Sequence, residues 1–303
     1  MFASYGLIVH LLVIIAIYGI LSLSLNLVLG VTGLFSIAHA AFYGVGAYTS
    51  ALLTMRGIPW VVAMPAGMVL AGIVAYIIGI PTVRLVGDYL AVVTLGLGEI
   101  ARAVFRNWIS VTRGPMGLPG IPSASIFGFT FGTAEQYLVL AAICLLVVYV
   151  ICQRLLSSPF GRVLKAIRED QRATLALGKN VDRFKMWSFV IGAAMAGLAG
   201  SLFAHYIGFI DPSSFVMWLT FFLFLIIVLG GLGNNLGTVL ATVVFVAARE
   251  GLRFVGLPDW INPAALQQFV FGMLLVVVTL FKPEGLIPAR KVTYRRYRQR
   301  VEG

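Results

Sequence analysis

Acid and imidazole are scarce in this 303-residue chain, so the few places that carry them define what chemistry it can do. Its histidines are His10, His39 and His205, against 60% hydrophobic residues and only 11% charged ones. No GxxxxGK[ST] phosphate loop, HExxH metal pair or GxSxG nucleophile elbow occurs. The Leu177-Gly178-Lys179-Asn180 stretch has a Gly-Lys pair, but it lacks the upstream glycine and the following hydroxyl of a phosphate loop. No catalytic, cofactor or metal site is expected, and any ATP that drives this chain is hydrolysed on another one.

Two isolated polar side chains stand inside apolar runs. Glu99, in GDYLAVVTLGLGEIARAVFRNW, is about 16 Å along a helix from Asp88, a depth at which charge is expensive and usually functional. Either it lines a pathway, or it pairs with Arg102 or Arg106 and holds helices together. His39, in SIAHAAFYGVGAY, sits among small residues that let backbones approach closely; it either hydrogen-bonds across helices or faces a pathway.

A third polar cluster is dense. The segment SPFGRVLKAIREDQRATLALGKNVDRFK, 158–185, gathers both signs of charge between two apolar runs. Ser158 and Pro159 read as the N-cap and first residue of a helix, with Val163, Leu164 and Ile167 as its apolar stripe. Asp170 can cap a second short helix that Gly178 ends. Arg162, Lys165, Arg168, Glu169, Arg172 and Lys179 project from this hairpin. A basic loop lying on lipid would explain the cations, but it needs little acid. Glu169, Asp170 and Asp182 instead favour a protein partner of complementary charge.

The elements that must hold these residues are membrane helices. Mean hydropathy is +0.99, and several continuous apolar runs reach the roughly 20 residues that cross a hydrocarbon core. The absence of alternation excludes a β-barrel. The expected fold is an all-α polytopic bundle of about nine spans: 7–29, 36–54, 60–82, 88–108, 135–153, 187–209, 216–232, 236–255 and 264–281. The start lacks a basic n-region and a cleavage site, so its apolar run reads as a retained first helix. One transmembrane domain fills 1–303, with a charged loop at 154–186 and a basic tail at 282–303.

Charge sets the expected orientation. The net charge is +11, and fifteen of the 22 Lys and Arg fall between Arg154 and Lys185 or between Lys282 and Arg300. Cations clustered beside spans mark the cytoplasmic side and argue against nucleic acid as a partner. Four spans separate the two blocks, and counting back puts the N-terminus outside. The Gly- and Pro-rich segment after Arg102 reads as an exported loop although it carries Arg102, Arg106 and Arg113.

Two glycine motifs echo each other, VLGVTG at Val28–Gly33 and VLGGLG at Val228–Gly233. Both lie at the cytoplasmic ends of spans in this topology, as in a parallel repeat around a central path. In GAAMAGLAG, Gly192, Ala196 and Gly200 form a small-residue face suited to helix packing. Cys144 and Cys152 are about 12 Å apart on one helix, too far for a disulfide.

Taken in order, LNLVLGVTGLFSIAHAAFYGVGAYTSALL, GDYLAVVTLGLGEIARAVFRNW, GPMGLPGIP, FGRVLKAIREDQRATLALGKNVDRFK, AHYIGFIDPSSF, VLGGLGNNLG and FKPEGL resemble the LivM-type permeases of branched-chain amino acid ABC importers. These blocks cover nearly the whole chain. The resemblance implies a multi-pass subunit of the bacterial inner membrane that pairs with a LivH-like permease, two cytoplasmic ABC ATPases and a periplasmic substrate-binding protein.

It also implies that 158–185 carries the ATPase-coupling helix, with Arg162, Lys165, Arg168, Glu169, Asp170, Arg172, Ala173 and Gly178 as contact candidates. Arg172, Ala173 and Thr174 stand where the wider superfamily has Glu-Ala-Ala; only Ala173 and Gly178 agree, and the Ile-x-Leu-Pro ending is absent. Asn234 replaces the usual Ser. A largely apolar path suits Leu, Ile or Val, with Asn26, Ser36, His39 and Glu99 as lining candidates. The same machine carrying urea or short amides is the nearest alternative. A self-contained channel or secondary carrier would need more acids within its spans than Glu99.

Overall fold

The computed structural model describes residues 2–85, 87–126, 128–251, 263–281 and 285–287. The first helix, α1 (Phe2–Leu25), runs on into a wider π-helical turn, Asn26–Val31. After a short loop come α2 (His39–Met55), α3 (Trp60–Thr82) and α4 (Asp88–Asn107). The Gly- and Pro-rich segment that follows is a loop, as its composition requires. It holds only one helical turn, α5 (Ile109–Thr112), a 3-10 turn and the two-residue strands β1 (Leu118–Pro119), β2 (Ser125–Ile126) and β3 (Phe129–Thr130).

Next are α6 (Ala134–Ser157), the hairpin of α7 (Pro159–Glu169) and α8 (Gln171–Ala176), and the long α9 (Val181–Ile207). Strand β4 (Phe209–Ile210) then leads to α10 (Met217–Gly230), α11 (Asn235–Gly251) and α12 (Pro263–Phe281).

Among the described residues, four stretches are long and apolar enough to cross a bilayer: Tyr5–Val31, Trp60–Thr82, Ala134–Ser157 and Val181–Ile207. Helices also occupy the other segments expected to span. However, α2 has 17 residues and α10 has 14, fewer than the roughly 20 that a lipid-exposed span needs. Helix α4 is long enough but carries Asp88, Glu99, Arg102 and Arg106. The short α2 does not depend on lipid, because it is buried from His39 to Gly44 and again at Gly46, Ala47, Tyr48, Ser50 and Ala51. The basic tail expected over 282–303 lies outside the described residues except for 285–287.

Helices α2, α3 and α9 form the centre, with α1 against α6, α9 and α11. Lipid tails are as apolar as leucine, so helices in a bilayer gain by close backbone approach rather than by excluding water. Glycines make that approach: a Cβ on Gly67 would lie 2.9 Å from the Gly46 carbonyl, and one on Gly197 would lie 3.0 Å from the Gly67 carbonyl. The expected small-residue face on α9 also packs. Gly192 meets Ser24 of α1 and Val28 of the π-helical turn, Gly200 meets the α2 backbone, and Ala196 is fully buried.

The end of the bundle away from the hairpin is tied by directional bonds. Trp60 Nε1–H donates to Ser201 Oγ at 3.1 Å, and Ser201, Ser50 and His205 continue the chain at 2.7 and 2.9 Å. His205 Nδ1 ends it 2.7 Å from the Pro122 carbonyl, which can only accept, so the proton sits on Nδ1. Strand β1 pairs with β4, and Ile121 N–H reaches the Gly208 carbonyl at 3.1 Å. The loop is thereby stapled to the end of α9.

Candidate functional site: a charged hairpin joined to two glycine turns

The charged segment folds as its caps dictate. Ser158 Oγ accepts from Gly161 N–H at 3.3 Å with Pro159 at the first helical position, which starts α7. Asp170 Oδ1 accepts from the N–H groups of Arg172 and Ala173 at 2.8 and 3.0 Å, which starts α8. Gly178, at φ +75°, ends α8 in the left-handed conformation that side chains disfavour. Leu164 and Ile167 of the expected stripe are buried, and Phe160 stacks on Phe184 of α9. The buried Lys185 donates to Gln171 Oε1 at 2.7 Å and so holds α8 to α9.

The named charges divide by where they point. Lys165 Nζ caps the end of α6 at the Leu156 carbonyl, 3.3 Å away. Asp170 is occupied as a cap. Arg162, Glu169, Arg172, Ala173 and Gly178 are exposed. Beside them are two apolar side chains that the sequence reading passed over, Leu175 and Leu177, 51% and 78% exposed. A surface of open leucines ringed by charges has the makeup of a protein contact.

Arg168 turns inward. One guanidinium nitrogen donates to the Gly30 carbonyl, and also approaches the Leu232 carbonyl at 3.4 Å. These carbonyls belong to the two VLGxxG motifs, which the fold brings side by side although 200 residues separate them. Partial burial lowers the guanidinium pKa from its ordinary value while neighbouring Glu169 raises it. The Arg168 stem also packs on Gly33, where an added Cβ would come within 3.1 Å of it.

Asn26 makes the second bridge. Its Oδ1 accepts from Gly233 N–H at 2.9 Å, and its Nδ2 donates to Asn235 Oδ1 at 3.1 Å. Asn235 in turn donates to Gln153 Oε1 of α6 at 3.2 Å. Asn234 caps α11 by accepting from Gly237 N–H at 3.1 Å, and its amide reaches the Ile287 carbonyl at 3.1 Å. Leu286 N–H donates to the Leu229 carbonyl at 2.7 Å, so 285–287 lies along the second turn. Asparagine at 234 thus accepts on one amide atom and donates from another, where a serine would have to do both through a single oxygen.

Above the turns, the chain reverses within the bundle. Ser24 Oγ donates to the Leu21 carbonyl at 2.6 Å, which leaves it to accept from His39 Nε2–H at 2.7 Å. His39 therefore sits level with Ser24, about 10 Å inward from the end of the π turn at 1.5 Å per residue. Helix α2 starts at this depth. Its free N–H groups take their partners from other helices, Ile37 N–H from Thr94 Oγ1 at 3.0 Å and Ala40 N–H from Thr220 Oγ1 at 3.2 Å. Ser36 is buried next to this start, and its hydroxyl has no hydrogen-bond partner among the described residues.

Glu99 pairs with Arg102, whose Nε and Nη2 lie 2.9 and 2.6 Å from Oε2. It borders a cavity of about 10 Å³ lined by Ile37, Ala40, Leu95, Gly98, Phe215 and Met217, no larger than one water. The four pathway candidates therefore do not form one cluster. Asn26 joins the turns, His39 and Ser36 sit at the start of α2, and Glu99 lies across from it on α4. Asn235 and Ser24, which bond Asn26 and His39, and Thr94, Thr220 and Gln153, which complete the same networks, are not singled out by the sequence.

A family model described as "Branched-chain amino acid transport system / permease component" matches residues 7–279. The LivM permease protein of a high-affinity branched-chain amino acid transport system in Escherichia coli is 37% identical, over 90% of this chain and 68% of that protein. A probable LivM of Methanocaldococcus jannaschii is 30% identical over 92% of this chain and 83% of its own length. The Escherichia coli LivH permease is 27% identical over 89% of this chain and 91% of its length. No solved structure matches. Placed beside the helical bundle and its four apolar spans, these likenesses establish that the chain belongs to the branched-chain amino acid transport permease family and is of the LivM type.

Proposed function

We propose that this chain is one of two permease subunits in an ATP-driven importer of branched-chain amino acids. The 158–185 hairpin docks on a partner ATPase and passes its movement to the bundle. The observation that carries this reading is the reach of Arg168 from the hairpin to the carbonyls of both VLGxxG turns. A hairpin that merely lay on lipid would have no need to grip the ends of α1 and α10 at once. The relatives named for branched-chain amino acid transport support the cargo.

In this account, Leu175, Leu177, Arg172 and Ala173 meet the ATPase. Arg162, Glu169 and Gly178 border the contact, Lys165 and Asp170 keep its two helices in shape, and Arg168 is the link inward. Tilting the hairpin moves Gly30 and Leu232 together and so shifts the helices that end there, a rigid-body change of the kind that alternates access. Asn26, Ser36, His39 and Glu99 lie along or beside the path that opens.

The hairpin and C-terminus face the cytoplasm of a bacterial inner membrane, the N-terminus faces outward and nine helices cross. The remaining partners are a LivH-like permease, a second cytoplasmic ABC ATPase and a periplasmic substrate-binding protein. Co-purification tests the class: the tagged chain should bring down an ABC ATPase, and Leu177→Asp together with Arg172→Ala should abolish that association while membrane insertion persists. Uptake of leucine by this chain alone in liposomes would refute the reading.

A further inference from the structure

Helix α4 packs by one side only. Its buried residues are Leu90, Ala91, Thr94 and Phe105. At about 100° per residue, Asp88, Val92, Gly96, Glu99, Arg102 and Arg106 all lie within about 60° of one direction on the other side. That side is open. The Glu99 and Arg102 side chains are 39% and 37% exposed despite their ion pair, and a Cβ added to Gly96 would meet nothing within 4 Å.

The depth of this stripe makes it informative. Gly98 lies against Ala38, 3.4 Å from an added Cβ, and Ala38 precedes the α2 start that His39 ties to Ser24. The Glu99–Arg102 pair is therefore level with the interior of α1, where hydrocarbon would surround an uncovered helix. Charged side chains at that depth face protein or a water-filled cavity, not lipid tails.

The order of the charges selects the occupant. Acid comes first, at Asp88 and Glu99, and base follows, at Arg102 and Arg106. Two copies of this chain related by a two-fold axis along the membrane normal would set equal depths face to face. Arginine would then oppose arginine, and acid would oppose acid, which disfavours the pairing.

We propose that the open face of α4 is the surface against which a second, non-identical permease subunit packs, its charges opposed at matching depth to Asp88, Glu99, Arg102 and Arg106. This rests on the reading of the chain as one of two permeases in an importer, and adds to it the face and the charge pattern of the contact.

The test is site-specific photo-cross-linking in membranes of the native host that hold the whole transporter. Benzoylphenylalanine replaces Val92 or Ala103 on α4, and Val139 or Leu146 on the exposed apolar side of α6 serves as control. Adducts from either α4 position should contain peptides of a different permease of the family, at least fivefold above the α6 positions. Adducts with lipid alone, equal yields from α4 and α6, or adducts with a second copy of this chain would each overturn the proposal. ATPase co-purification is scored from the same membranes. Lipid-only adducts with the ATPase still bound would sink the α4 assignment alone, whereas loss of the ATPase from the unsubstituted chain would sink the importer reading.

Discussion

The two ends of the bundle are held by different means. At the far end, Trp60, Ser201, Ser50 and His205 form a chain of neutral hydrogen bonds ending on the Pro122 carbonyl, and all four side chains are buried. Each donor has one acceptor, so any rearrangement strands a polar atom away from water. At the hairpin end, the link is a long cation that remains partly open to solvent and rests on two backbone carbonyls. Such a link can change partners at little expense. In the proposed importer, this difference makes the His205 network the fixed end and Arg168 the movable one.

Disturbing the centre that both ends share should have the largest effect. Gly46→Val forces a branched side chain into the Gly197 backbone, an overpacking change at or above the ~3 kcal/mol top of its usual range. Little folded protein should survive detergent extraction and gel filtration. His205→Ala leaves the Ser50 hydroxyl proton without its acceptor and the Pro122 carbonyl without its donor, so thermal unfolding should report a loss of about 1–3 kcal/mol. Uptake per folded molecule should hold, because this end stays still.

Asn26→Ala removes the partner of Gly233 N–H and of Asn235, with a similar stability loss of about 1–3 kcal/mol. Here uptake per folded molecule should also fall, and equal behaviour of the two variants would erase the contrast between the ends. Ser36→Ala should be the mildest. Its hydroxyl is buried and unpartnered, so stability should stay within about 0.5 kcal/mol of the parent. A large destabilisation in the same melt would mean that the hydroxyl has a partner after all.

Local structure was legible where a residue acts on its near neighbours. Ser158, Pro159, Asp170 and Gly178 announce both hairpin helices because caps and stops work within three or four positions. The membrane class and the helix positions followed from apolar run length for the same reason. Distant pairing was not legible. Asn26 looked like a pathway residue, yet its partners at 233 and 235 lie across the fold. Arg168 looked like any other cation of the hairpin, and only the fold reveals that it faces Gly30. The echo of VLGVTG and VLGGLG hinted at this junction, though nothing in a repeated motif says that its copies touch.

The link itself is tested most directly in the reconstituted transporter, by measuring ATP hydrolysis and leucine uptake on the same proteoliposomes with Arg168→Ala and Arg168→Lys. With the hairpin still docked, Arg168→Ala should keep ATP hydrolysis within about twofold of the parent while uptake per ATP falls about tenfold or more, the effect of losing about 1.4 kcal/mol of coupling. Arg168→Lys should fall between the two. Unchanged uptake per ATP in Arg168→Ala would contradict the account.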